Sequence, residues 1–565
     1  MGTTTMIGRA LTVSKATRLL EKRLITCEEL VSYCNHLAVA GEEIWGLAAY
    51  SHLVSRDNLL DQAQESDGRR KHGETLSILD GIPVSIKENI AVRDVPLTAG
   101  SRILGRGRDD HPACGYDADV VRKLLRESGA IMVGTTTMDE FGMGSLGMNM
   151  PTTPAKNPIP YMRKLTPDDT SSLSNDEEDL LFAKLIKSSQ DEILEIHSNV
   201  FDENLPVHSV GGSSSGSAVS VTHGSALLSL GTDTGGSVRL PSAWCGIVGL
   251  KPSYGVLSRH GIVSYASSFD TVGVLAPSVE CASIALDALG ERDEAGSRDS
   301  TASPLQFQLK DFEEKQDTAS ERPLEGVKVG IPVSFSIEEC PDEIREAWMK
   351  AADYLSQRGA TVMELSTDDL SVDLVQLSLA TYYILVSAEA SSNLARYDGF
   401  RYGVAATRDD TSSESFDLDA TDLERQYSAT RMEGFGIEVS RRILCGASVL
   451  SSDRFHSHYE AAAKLRAALA NQMNSCLKEK VDMLLYPTAL SAPPRIDQGE
   501  IDSTETFAND VMTVPASLAG LPSMSIPLSP KNGEQFPLAL QLVGYRHGEA
   551  SILNAARVLE DMSHL

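Results

Sequence analysis

Apolar and polar positions follow two rhythms along this chain. Between Asp117 and Gly129, Val120, Val121, Leu124 and Leu125 recur at the three-to-four spacing of an amphipathic helix. Asp117 is placed to cap its start and Gly129 to stop it, and the apolar run from Ala130 to Val133 reads as a short buried strand. The same unit returns at Pro341 to Gly359, where Ile344, Trp348, Ala352 and Leu355 share a face and Thr361 to Leu365 follows as extended chain. At Ile82, Val84 and Ile86 the rhythm changes, because these residues alternate with Pro83, Ser85 and Lys87 at the period of two that marks a strand. Repeated helix-to-strand units predict an α/β layered fold with helices covering a sheet.

Three stretches break both rhythms: about 159–205, 291–325 and 405–425, each rich in Ser, Thr, Asp and Glu. They read as solvated surface insertions in a single domain spanning 1–565. They carry a good part of the formal net charge of -29. Such a field repels polyanions, so the chain is not expected to grip nucleic acid by itself. With 41% hydrophobic residues over 565 positions, a large core is within reach. No apolar run approaches the length of a membrane span. The eight cysteines are scattered, without the close spacing of a zinc site or a disulfide framework, and are expected as reduced thiols. Arg9, Lys15 and Arg18, in an N-terminal stretch free of acids, have the flavour of an organelle transit peptide. An amphipathic helix beginning near Leu11 accounts for the same residues.

Candidate chemistry lies in two glycine- and serine-rich segments. Gly211-Gly212-Ser213-Ser214-Ser215-Gly216-Ser217 precedes a helix-like stretch from Ala218 to Thr222. The strand-like run Ala226 to Leu230 then leads into Gly231-Thr232-Asp233-Thr234-Gly235-Gly236-Ser237. Glycines in such a turn let successive N–H groups converge on one point and stabilise an oxyanion beside the Ser237 hydroxyl. Serine needs a base. His208 and His223 are near in sequence but sit in no pattern that singles them out. Lys87, closing a buried strand, is the better candidate: loss of hydration lowers a lysine from about 10.4 toward the roughly 7 to 8 that suits a general base. Two other motifs carry less. Gly212-Ser213-Ser214-Ser215-Gly216 matches a nucleophile elbow centred on Ser214. Gly142 to Gly147 matches a dinucleotide fingerprint but lacks the strand before it and the helix after it.

Taken together, Gly81-Ile-Pro-Val-Ser-Ile-Lys87, Gly211-Gly-Ser213-Ser-Ser-Gly-Ser-Ala218 and Gly231-Thr-Asp-Thr-Gly-Gly-Ser237-Val-Arg-Leu-Pro-Ser-Ala-Trp-Cys-Gly-Ile-Val-Gly-Leu-Lys-Pro-Ser253 resemble the signature of the amidase-signature family. The resemblance implies a large mixed central β-sheet covered by helices on both faces. It also implies Ser237 as acylated nucleophile, Ser213 as bridging serine in a cis peptide and Lys87 as base, with an oxyanion hole at Thr234, Gly235 and Gly236. No metal is implied.

Met138 to Ser145, Lys251 to Asp270 and Thr381 to Gly403 are similar to one branch of that family, the A-type subunits of glutamyl-tRNA(Gln) amidotransferases. That likeness implies a glutaminase working in a complex, with Arg442 gripping the glutamine α-carboxylate, Asp510 meeting its α-amino group and Tyr382 lining the pocket. It implies no cofactor in this chain, ATP and Mg on a partner, a B-type and a small C- or F-type partner subunit, and tRNA bound only through the partner. Mitochondrial localisation is expected from it, with plastid or cytoplasm as alternatives. A free-standing amidase for small or fatty amides is the competing reading, in which Arg442 and Asp510 would be superfluous. The sequence departs from the branch at Ser215, where many relatives have glycine, and at Glu88, where many have Asp.

Overall fold

A computed structural model describes residues 5–562, except 7–10, 107–112, 162–163, 166–173, 190–191, 193–204, 291, 293–296, 315–320, 407–419, 498–508 and 529–535. Its centre is an 11-stranded mixed sheet. In chain order the strands are β1 (Tyr50–Leu53), β2 (Pro83–Lys87), β3 (Ile131–Thr136), β4 (Leu228–Asp233), β5 (Val248–Lys251), β6 (Thr271–Ala276), β7 (Lys328–Pro332), β8 (Thr361–Leu365), β9 (Met483–Pro487), β10 (Ser523–Pro527) and β11 (Ala539–Gly544). Across the sheet they run β8-β7-β9-β11-β10-β5-β6-β4-β2-β3-β1.

Every residue of β2, β3, β4, β5 and β6 is buried. Successive side chains point to opposite faces, so burial of all of them means both faces are covered, the arrangement expected of the family. The edge strands β1 and β8 expose part of their residues instead. One hydrophobic cluster runs from Leu11 to Leu559.

The second helix-to-strand unit is as expected: a helix over Asp342–Gln357, then β8. The first differs at its start. The helix begins at Asp119 after Ala118, and the Asp117 carboxylate accepts from Arg93 N at 2.8 Å and pairs with Arg126 at 3.1 Å in place of capping. Helix Val13–Glu21 is capped by Thr12 and packs through Val13, Ala16, Leu19 and Leu20. Lys15 and Arg18 therefore belong to a folded helix; Arg9 lies outside the described residues.

The solvated-loop reading is corrected for the first two insertions by what is described of them. Within 159–205, Asn175–Ile186 is a helix opened by a Ser174–Glu177 capping box. Its acidic first turn favours the positive end of the helix dipole, and Phe182, Ala183 and Ile186 enter the core. Within 291–325, Leu305, Phe307, Phe312 and Leu324 are buried. Within 405–425, residues 407–419 lie outside the description and a helix starts at Asp422. All eight cysteines are free, with only Cys445 exposed. Among the described residues no helix is long and apolar enough to cross a membrane.

Candidate active site

Strands β3, β2 and β4 are parallel neighbours, with Lys87 opposite Thr136 and Ile86 opposite Leu230. Their carboxyl ends therefore open at the same edge of the sheet, where loops meet in α/β folds. Lys87 closes β2 there. The turn Thr234–Ser237 leaves β4 there and enters helix α1 (Arg239–Cys245). The Ser213 loop reaches the same edge: Ser214 N donates to Ser237 O at 3.1 Å, and the Gly212–Ser213 peptide is cis.

Lys87 is fully buried and its ammonium meets oxygen atoms of hydroxyls and one carbonyl. Nζ donates to Ser213 Oγ at 2.8 Å, Ser214 Oγ at 2.9 Å and Thr232 Oγ1 at 3.0 Å, with Thr232 O at 3.5 Å. Burial pulls its pKa down to about 7. Asp139, Asp233 and Asp270 oppose that shift by their charge, but none is a hydrogen-bond partner among those found for Nζ. Ser214 and Thr232 carry no signal in the sequence that places them in this constellation. Ser214 lies in the hydroxyl run, but its Oγ also donates to Thr232 O at 3.3 Å and it is fully buried, which makes it a scaffold for Lys87 and not an elbow nucleophile.

Ser237 keeps 8% of its surface, the largest exposure among these hydroxyl residues. The turn before it is braced from below: Asp233 and Arg239 form a fully buried ion pair at 2.9 Å, and Arg239 Nη1 donates to Thr513 O at 2.8 Å. Burial opposes the Asp233 charge, but Arg239 wins and holds its carboxyl below the usual range. Thr234 Oγ1 donates to Asp270 Oδ1 at 2.8 Å. Gly236 has φ of +145°, a conformation open to glycine and strained for other residues. Gly235 lies against the hydroxyl end of Tyr382, where an added Cβ would stand 2.5 Å from Oη.

Arg442 and Asp510 come from helices α2 (Ile437–Val449) and α3 (Asp510–Leu518) and converge on Tyr383. Tyr383 Oη donates to Asp510 Oδ2 at 2.9 Å, and the Arg442 guanidinium stands 5.0 Å from the Tyr383 ring centre. Ser145 Oγ also donates to Asp510, at 2.7 Å. Arg442 Nε pairs with Glu438 at 2.7 Å and Nη1 donates to Tyr265 Oη. Burial pushes the Asp510 carboxyl up to about 6 against the pull of Ser145, Tyr383 and Arg442. Burial disfavours the Arg442 charge too, yet Tyr265, Tyr383 and Glu438 keep it firmly cationic. Tyr382 faces the glycine turn, so its chain neighbour Tyr383 is the tyrosine bonded to Asp510. Sequence reasoning missed Tyr383 because adjacent helical residues cannot be ordered toward a site by pattern alone. A cleft lined by Glu140, Met148, Met150, Phe435, Ile437 and Glu438 opens beside the Arg442–Glu438 pair.

His208 and His223 stand apart from this cluster in their contacts: His208 Nδ1 lies 3.0 Å from Pro206 O, and His223 packs on Trp45 with ring centres 5.1 Å apart. Among the described residues no group of three or more His, Cys, Asp or Glu is arranged to hold a metal ion.

Known proteins resemble the chain over nearly its whole length. It is 36% identical to the mitochondrial A-type subunit of glutamyl-tRNA(Gln) amidotransferase of Coccidioides posadasii (strain C735), covering 89% of this chain and 93% of that one. It is also 36% identical to the A-type subunit of glutamyl-tRNA(Gln) amidotransferase of Cereibacter sphaeroides (strain ATCC 17025 / ATH 2.4.3), over 98% and 97% of the two chains. The crystal structure of the corresponding glutamyl-tRNA(Gln) amidotransferase A-type subunit from Thermotoga maritima superposes with a TM-score of 0.66 at 26% identity, covering 99% of this chain and 96% of that one. The Amidase family model matches residues 30–166 and 190–553, on either side of the insertion helix, and with Lys87, Ser213 and Ser237 all inside the matched segments the chain belongs to the amidase family.

Proposed function

We propose that this chain hydrolyses glutamine to glutamate and ammonia through an acyl-serine intermediate, as the glutaminase subunit of a tRNA-dependent amidotransferase. The observation that carries the reading is a buried cation and a buried carboxylate, Arg442 and Asp510, that meet at Tyr383, the guanidinium over its ring and the carboxylate at its hydroxyl, while Arg442 also pairs with Glu438. A free amino acid presents one carboxylate and one ammonium. Arg442 suits the first and Asp510 the second. A simple or fatty amide would gain nothing from either.

In this mechanism neutral Lys87 draws the proton of Ser237 through Ser213 while Ser237 Oγ bonds to the amide carbon. The N–H groups of Thr234, Gly235 and Gly236 receive the negative oxygen. The proton returns by the same route to the leaving nitrogen, the C–N bond breaks and ammonia departs, leaving a γ-glutamyl ester on Ser237. Water then attacks that ester, gives its proton to the same relay, and releases glutamate with Ser237 restored.

The ammonia serves conversion of Glu-tRNA(Gln) to Gln-tRNA(Gln) on a B-type partner that holds ATP and Mg, assembled with a small C- or F-type subunit. The formal charge of -29 supports tRNA contact through that partner alone. The Coccidioides posadasii relative supports a mitochondrial location. The test is ammonia release from free glutamine against simple amides, by the purified chain with and without B-type and C- or F-type subunits. Glutamine should be the preferred substrate. Turnover of neutral amides with glutamine ignored would give the free-standing amidase instead.

A further inference from the structure

A peptide flanked by two glycines has little reason to hold one orientation, since neither neighbour has a Cβ to restrict rotation. The peptide from Gly235 to Gly236 is of this kind, and it lies in the turn assigned above as oxyanion hole. Something outside the turn has to fix it. Thr513 Oγ1 donates to Gly235 O at 2.6 Å and lies 3.3 Å from Asp510 O, so its single proton serves the nearer carbonyl. The side chain is fully buried and packs so closely on Gly236 that an added Cβ there would collide with Oγ1. In a trans peptide the carbonyl and the following N–H point in opposite directions. Holding Gly235 O toward Thr513 therefore turns Gly236 N–H away from it.

We propose that Thr513 is a positioning residue that sets the orientation of the oxyanion-binding Gly235–Gly236 peptide. It follows Asp510 by three positions in α3, about one helical turn along, so the helix that presents the amino-group reader also fixes the turn that stabilises the reacting oxygen. Without the hydroxyl, the peptide loses the hydrogen bond that holds Gly235 O and presents its carbonyl to the developing oxyanion for part of the time. The inference rests on the reading of Thr234 to Gly236 as oxyanion donors and not on the identity of the amide.

Thr513→Ala and Thr513→Ser separate the hydroxyl from the methyl. Full loss of an oxyanion donor lowers kcat about 100- to 1000-fold, so partial loss of its orientation should lower kcat in Thr513→Ala about 10- to 100-fold at nearly unchanged KM. Thr513→Ser should stay within a few-fold of the parent. Equal kcat in the two variants, or a change confined to KM, would overturn the proposal. If Thr513→Ala does not fold, Thr513→Val refills the methyl volume; failure of both alongside a folded Thr513→Ser would assign the hydroxyl to stability and also overturn it. The parent enzyme is assayed first on glutamine and on a simple amide. Loss of the glutaminase reading at that step leaves the Thr513 comparison intact on the amide.

Discussion

Lys87 and Arg442 are both cations enclosed by protein, and their surroundings drive them to opposite ends. Lys87 is ringed by Ser213, Ser214 and Thr232, whose oxygens solvate a charge only weakly, and its pKa falls to about 7. Arg442 has the Glu438 carboxylate at 2.7 Å and the rings of Tyr265 and Tyr383 beside it, and it stays charged. Residue type reinforces the difference, because a compact ammonium gives up its proton on desolvation far more readily than a delocalised guanidinium. Burial alone does not say whether a cation becomes a base or an anion reader; the partner set does.

The comparison breaks if Lys87 does not act as the neutral base. Lys87→Ala should lower kcat by at least about 10³-fold, the scale of losing one member of a serine catalytic unit. Lys87→Arg should be as damaging, although it keeps the positive charge, because arginine does not deprotonate at neutral pH. Steady-state hydrolysis with circular dichroism as a fold control measures both. An active Lys87→Arg enzyme would show that the charge matters and the proton does not.

Next in size is the proposed anion reader. Arg442→Ala strands the substrate carboxylate and should cost about 2 to 5 kcal/mol, or roughly 30-fold to several-thousand-fold in kcat/KM for glutamine. Asp510→Ala should act in the same direction. Hydrolysis of a small neutral amide should be nearly unchanged in both variants, since neither residue touches Lys87, Ser213 or Ser237. Parallel loss of both substrates would make Arg442 a structural cation and remove the contrast.

The pH profile sharpens the same contrast with smaller effects. Lys87 works when neutral, so kcat should rise with pH through about 7 and fall about tenfold per unit below it. Asp510 must be ionised to meet an ammonium group and titrates near 6 in the free protein. The profile of kcat/KM should therefore steepen toward a slope of two below about 6, while kcat keeps a slope of one because bound substrate holds Asp510 ionised. Asp510→Asn should remove the second proton from kcat/KM and leave the kcat limb near 7.

Much of the proposed catalytic centre was legible because its parts are short motifs with local causes. A strand ending in lysine, a hydroxyl run before a helix, and a glycine turn after a strand each show in a few residues. Lys87, Ser213 and the Ser237 turn do meet at one sheet edge. What sequence could not supply were partners from elsewhere in the chain: Tyr383, Ser145 and Thr513 acquire meaning through contacts made across more than a hundred residues. Asp117 misled for a related reason, since its carboxylate is taken by Arg93 N and Arg126 instead of the helix start. The helix Asn175–Ile186 had a readable signal, Ser174 three residues before Glu177, which the density of acids around it obscured.

That helix gives the last and smallest expected effect on activity, and a third case of a cation's partners. Its Asp179 side chain is fully buried and receives Arg18 at 2.6 Å and Lys22 at 3.0 Å, while Lys15 pairs with Glu178 at 2.7 Å and stands over the Phe182 ring at 4.2 Å. Asp179 raises the pKa of Arg18, and Asp176 with Asp179 that of Lys22, so carboxylates favour the charged form of these two at the periphery. Removing 175–186 would leave Asp179's partners without it and open the core where Phe182 sits. The single change Phe182→Ala should cost about 3 to 5 kcal/mol, as for other buried aromatics, and lower the melting temperature by several degrees. The folded enzyme should keep its kcat, because none of these side chains contacts the Lys87, Ser213 and Ser237 cluster. Thermal unfolding beside steady-state kinetics reads the two quantities separately. An unchanged melting temperature would return the segment to a solvated appendage, whereas a matching fall in kcat at a temperature where the protein is fully folded would tie it to the site.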